Sequence, residues 1–209
     1  MMYNSPMMLR LISLICILLA GGVWAQDPMS GGDVAAGKTL YNQNCVSCHG
    51  PSGASVIPTQ PILAGQHADY LREQTTQYRD GERQNAVMAA MAKSLSDQDI
   101  ADISAYLAAQ KPVIVGAADM ELAKSAEKLY RGGILETGVP ACAACHTPSG
   151  AGMEPLYPRL SGQHAAYTAS SLREYASGAR QNDIMQSIAA KLSDEQIDAL
   201  AAYISGLAP

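Results

Sequence analysis

"NCVSCHG" (residues 44–50) holds the pattern Cys-x-x-Cys-His, and "ACAACHT" (residues 141–147) holds it again. The chain has five cysteines and four histidines, so these two stretches take four of the cysteines and two of the histidines. A paired Cys-x-x-Cys serves as a thioether anchor, as part of a zinc site or as a disulfide. What lies around the two stretches separates these readings.

The two stretches are corresponding points of an internal repeat. Cys45, Cys48 and His49 recur 97 positions later as Cys142, Cys145 and His146. The same shift, without a gap, carries Pro61 to Pro158, "GQH" at 65–67 to 162–164, "RQN" at 83–85 to 180–182, Met88 to Met185 and "LSD" at 95–97 to 192–194. Ahead of the cysteines the shift is 89, matching "LY" at 40–41 with 129–130, so the second copy carries eight extra residues within "RGGILETGVPA". One domain has been duplicated. Pro112 and Gly116 interrupt the helical pattern between the copies, which places a linker at 111–119 between domains at 26–110 and 120–209.

Each copy closes on an amphipathic helix. Ser96 and Ser193 stand as N-caps, Gln196 completes a capping box, and Ile100, Ile103 and Leu107, like Ile197, Leu200 and Ile204, repeat at helical spacing. A second helix opens each copy, and no stretch alternates as a strand. The expected fold class is all-α. Tyr41, Tyr106, Tyr130 and Tyr203 fall where these helices would touch.

A zinc ribbon sets its two cysteine pairs about 15–20 residues apart. Here each pair sits alone in its own copy. Local disulfides would leave the following histidines without a role. Haem attachment uses all three residues: two thiols reach the two vinyl groups of one porphyrin, and the imidazole lies beneath the iron. Cys45, Cys48, Cys142 and Cys145 are therefore candidate anchors for two covalently attached haem c groups, with His49 and His146 as proximal metal ligands.

Met88 and Met185 are the methionines repeated in register, and each lies 39 residues after its proximal histidine. A thioether opposite imidazole gives a six-coordinate iron of raised potential, which makes them candidates for the other axial ligand against the plainer reading of core methionines. His67 and His164 are the rival ligands, but both precede helical patterns and read as helix-start residues. Pro61 and Pro158 are candidates to accept the second imidazole N–H. Arg83 and Arg180 are candidates to pair with haem propionates, with solvated arginine as the alternative.

Residues 1–25 read as a cleaved signal peptide: Arg10 lies ahead of the apolar "LISLICILLAGG", and Val23 and Ala25 stand where a peptidase needs small residues. Cleavage after Ala25 removes Cys16. Export to the periplasm is the expected localisation. Loss of Arg10 takes the formal charge from −5 to −6, which argues against a nucleic-acid partner. The chain has no phenylalanine, so two small domains would have thin cores that a cofactor would fill.

Together "CVSCHG", "PILAGQHADYL", "SLSDQDIADISAYLA", "CAACHTPSG", "PRLSGQHAAYTASSL" and "KLSDEQIDALAAYISGL" resemble the dihaem cytochrome c4 family, over essentially all of the chain after residue 25. The resemblance implies two tandem class I cytochrome c domains packed about a pseudo-twofold, with His/Met ligation through Met88 and Met185. It implies an electron carrier, not an enzyme, between a quinol-oxidising cytochrome bc complex and a haem-copper terminal oxidase. It leaves room for peripheral membrane association. The cytochrome subunit of a flavin-dependent sulfide dehydrogenase has a similar build, and a dihaem redox enzyme is the further alternative.

Overall fold

The computed structural model describes Met1 and residues 31–208. The expected cleavage site at Ala25 lies outside the described residues. Among those described there are ten α-helices, five in each copy. The first copy has α1 (Val34–Asn44), α2 (Val46–His49), α3 (Ala68–Asp80), α4 (Ala86–Ala92) and α5 (Asp97–Ala108). The second has α6 (Met120–Gly132), α7 (Cys142–His146), α8 (Ala165–Ser177), α9 (Asp183–Ala189) and α10 (Asp194–Gly206). The described residues contain no strand, only the isolated bridges Ile134–Val139 and Met153–Tyr157. Ile134–Val139 lies within the extra residues of the second copy.

Local chemistry sets the helix starts. Asp33 caps α1 through the Ala35 and Ala36 N–H groups, and Asp119 caps α6 through Leu122 N–H. Ser96 and Ser193 cap α5 and α10, each inside a reciprocal capping box. The box on α5 is closed by Asp99, a shorter carboxylate than the glutamate or glutamine of the usual pattern.

The first and last helices of each copy cross, α1 on α5 and α6 on α10. Gly37 lies at the first crossing, where a Cβ would run into the Asp102 carbonyl; the second copy places the buried Ala126 there. Beside each crossing two tyrosines pack, with Tyr41 and Tyr106 centroids 5.5 Å apart and those of Tyr130 and Tyr203 5.2 Å apart. Tyr41 and Tyr130 are wholly buried, so their hydroxyls need partners. Tyr41 Oη donates to the Gly50 carbonyl at 2.7 Å, and Tyr130 Oη to the Thr147 carbonyl at 2.8 Å. Each bond anchors the residue that follows a Cys-x-x-Cys-His segment, so the helix crossing positions the site.

Candidate functional site

The two Cys-x-x-Cys-His segments are the short helices α2 and α7. No disulfide joins their four cysteines. Burial pushes the Cys45 and Cys142 thiols up to about 11. Among the described residues no group of three or more His, Cys, Asp or Glu is gathered as for a zinc ion.

His49 and His146 are buried. Their Nδ1 atoms face carbonyl oxygens, Pro61 O at 3.1 Å and Pro158 O at 2.9 Å, as the sequence suggests. A carbonyl only accepts, so the proton sits on Nδ1 and Nε2 keeps its lone pair. Burial lowers the pKa of both rings, against the raising effect of the proline carbonyls, so the neutral, ligating form is favoured. His49 Nε2 is buried without a hydrogen-bond partner. His146 also packs edge-on against Tyr157, with centroids 6.1 Å apart; the first copy has Gln60 at that position.

A cavity of about 200 Å³ opens beside α7, with Cys142, Cys145, His146 and Met185 on its wall. It continues to Pro61, Leu63, Tyr70 and Gln74 of the first copy. Met88 and Met185 lie at the third position of α4 and α9. Their N–H groups donate to the capping side chains of Asn85 (3.0 Å) and Asn182 (2.9 Å).

The remaining repeated residues meet between the copies. Gln66 Nε2 donates to the Arg159 carbonyl and its Oε1 accepts from the Arg159 N–H, both at 2.8 Å. Gln163 makes the matching pair with Ile62, at 3.0 and 2.9 Å. His67 sets its Nε2 3.0 Å from the Ala151 carbonyl and its Nδ1 3.0 Å from the Glu154 carboxylate. His164 donates through Nε2 to the Ser55 carbonyl at 2.9 Å. The "GQH" repeat, whose histidines the sequence marks as helix-start residues and which do stand at the N-caps of α3 and α8, is thus also the clasp between the copies.

Arg83 and Arg180 also lie at this junction and are buried, which excludes the solvated alternative. Arg83 reaches Tyr167 Oη at 3.3 Å, and Arg180 reaches Tyr70 Oη at 2.7 Å. Both donate to Gln74 Oε1, at 2.8 and 2.6 Å. Each guanidinium also stacks on a tyrosine of its own copy, Tyr78 at 4.6 Å and Tyr175 at 4.5 Å. Burial would raise the Tyr167 phenol, but the two guanidiniums outweigh it and lower its pKa.

The cytochrome c family pattern matches the chain twice, at residues 34–111 and 135–208. Cytochrome c4 of Azotobacter vinelandii is 46% identical over 209 residues, covering 93% of this chain and 98% of that protein. The chain belongs to the cytochrome c4 family. Reduced recombinant cytochrome c4 from Pseudomonas stutzeri superposes with a TM-score of 0.81 at 44% identity, covering 85% of this chain and all of that one. A relative from Thiomonas intermedia, named thiosulfate dehydrogenase electron acceptor, is 34% identical and covers 78% of this chain and 77% of its own length.

As a member of this family, the chain is a dihaem electron-transfer protein, with two covalently bound haem c groups on Cys45 and Cys48 and on Cys142 and Cys145. The residues present fit the group. Thiols stand three apart beside each imidazole, Nε2 of His49 is buried and free for iron, and an apolar cavity adjoins Cys142, Cys145 and His146. No helix among the described residues is long and apolar enough to cross a membrane.

Proposed function

We propose that this chain carries single electrons in the periplasm from a quinol-oxidising cytochrome bc complex to a haem-copper terminal oxidase, and that Met88 and Met185 are the sixth ligands of its irons. The observation that carries the reading is that both copies equip their haem side alike. Each orients a buried histidine on a proline carbonyl and seats a methionine at the third position of an asparagine-capped helix. A dihaem peroxidase divides labour between its irons and needs one displaceable ligand. Two matching sites suit a carrier instead.

When bound, each haem supplies iron(III)/iron(II) chemistry, and a thioether opposite imidazole favours the reduced form. The chain's own residues hold the geometry through the change. Pro61 and Pro158 fix the rings of His49 and His146, Tyr41 and Tyr130 anchor the ends of α2 and α7, and the Gln66 and Gln163 clasps hold the copies together. Arg83 and Arg180 sit buried where they can receive propionate carboxylates. Export is supported by the character of the first 25 residues.

Substituting Met88 or Met185 by Ala is the direct test. The expected outcome is loss of that haem's sulfur-to-iron band in the far red, a lower potential and new carbon monoxide binding, while His67→Ala and His164→Ala keep the spectrum. The opposite pattern would make the ligation bis-His and remove the argument for a high-potential respiratory carrier.

A second reading has its own support in the Thiomonas intermedia relative. On it, the same carrier chemistry would take electrons from a thiosulfate-oxidising enzyme. Stopped-flow reduction of the haem-loaded protein by each donor separates the two. The physiological donor should reduce it far faster than the other, and a rate favouring the sulfur enzyme would displace the respiratory reading.

A further inference from the structure

Beside the two glutamine clasps lies a second, smaller cavity of about 10 Å³, and its wall is built from equivalent residues of the two copies. The 97-residue shift pairs Ile62 with Arg159, Ala64 with Ser161 and Gln66 with Gln163, and all six line it. Val113 of the linker completes the wall. The cavity therefore sits on the pseudo-twofold of the molecule, where both copies and the segment joining them meet. None of the haem-anchoring cysteines, the proximal histidines or the repeated methionines borders it.

Where the first copy supplies the apolar Ile62 and Ala64, the second supplies Arg159 and Ser161. Arg159 Nε and Nη2 and Ser161 Oγ are buried without a hydrogen-bond partner among the described residues, and Ser161 as a whole is 4% exposed. Nε and Nη2 share one edge of the guanidinium, so their N–H groups run side by side and can meet a single acceptor. The glutamines have none to offer. Gln66 Oε1 already accepts from the Arg159 and His67 N–H groups, and Gln163 Oε1 from those of Ile62 and His164. No carboxylate among the described residues pairs with Arg159, and burial lowers its pKa.

Three donors, one positive charge and no spare acceptor define what fits this space. A carboxylate has three heavy atoms, too many for a space that suits one water. A water fits but brings no charge, and burying an uncompensated guanidinium is costly. A monatomic anion answers both needs. We infer that the chain binds one chloride ion on the pseudo-twofold, between the Nε/Nη2 edge of Arg159 and the hydroxyl of Ser161, and that the ion ties the two copies and the linker together. A ligand held only by the folded state stabilises that state by mass action, so the junction becomes dependent on chloride. The inference is independent of the methionine ligation and of the electron donor.

The test is thermal unfolding of the full haem-loaded chain while sodium chloride replaces sodium gluconate at constant ionic strength. The midpoint should rise along a one-site saturation curve. Ser161→Ala, which installs the residue of the first copy, removes one hydrogen bond to a charged group and should weaken chloride binding about tenfold or more. Arg159→Ile should abolish the response. Crystals of the parent grown in sodium bromide should show one anomalous peak within hydrogen-bonding distance of Arg159 Nε, Arg159 Nη2 and Ser161 Oγ. Arg159 also borders the larger cavity beside Cys142 and His146, so a haem carboxylate is the rival partner for its guanidinium. A midpoint indifferent to the choice of anion, a chloride response unchanged in both variants, or a water or haem carboxylate found at these three atoms would overturn the inference. The bromide peak and the midpoint are read on the parent protein, so a variant that fails to fold leaves the outcome decidable.

Discussion

Gly50 and Thr147 are the same residue of the repeat, and both hold positive φ, 73° and 67°, straight after the proximal histidine. Glycine accepts that conformation freely, whereas a β-branched residue is strained there. The two tyrosine hydroxyls hold both carbonyls in place all the same, and Thr147 recovers part of the cost by accepting from Ala151 N–H at 3.0 Å. Gly50 has no such compensation available to a larger replacement, because a Cβ would stand 2.6 Å from the Ala54 carbonyl oxygen. Gly50→Ala should therefore destabilise the haem-loaded protein by about 1–3 kcal/mol, read as a lower midpoint in denaturant. An unchanged midpoint would mean that α2 shifts to relieve the contact.

Among the elements, the methionine-bearing α4 and α9 are short, at seven residues each. Seven residues are too few to persist on propensity alone, so the asparagine caps matter more here than on the longer helices. Asn182→Ala should cost about 0.5–2 kcal/mol and loosen the turn that carries Met185. The expected signature is a weaker sulfur-to-iron band from the second haem with the first unaffected; loss of stability with the band intact would separate the cap from the ligand. These two helices were not legible in the sequence as helices, since "AVMAAMA" and "DIMQSIA" are short and weakly periodic. The closing helices α5 and α10 were legible because Ser96, Ser193 and a long apolar stripe mark them. The haem anchors were legible because covalent chemistry fixes their spacing. Gln66, Gln163 and Arg159 were not, because their partners lie 93 to 101 positions away, and a polar residue in a loop carries no local sign of such a contact. The repetition of "GQH" was a visible signal whose meaning needed the packed pair.

At the scale of the whole molecule, the two clasps join the halves alongside the buried arginine–tyrosine contacts. Each glutamine makes two hydrogen bonds to backbone, and each bond contributes about 0.5–1.5 kcal/mol net. Replacing Gln66 and Gln163 together by Ala should therefore weaken the junction by roughly 2–6 kcal/mol. Calorimetry of the haem-loaded double variant should resolve separate unfolding of the two halves. A single sharp transition at the parent temperature would show that the arginine and tyrosine contacts suffice.

The clasp has a further property. Each glutamine grips only the main-chain N–H and carbonyl of its partner residue, so it makes no difference to the bond that one partner is Ile62 and the other Arg159. The first half alone carries both the gripping amide and the gripped backbone, and so does the second. Such a surface is complementary to itself, as in an isologous homodimer. The tandem chain is then a dimer whose subunits have been joined end to end, which frees one of them to diverge. Either half made separately and loaded with haem should pair with its own copy, and sedimentation would reveal a monomer if the eight-residue insertion or the lone arginine has since made the two faces mutually exclusive.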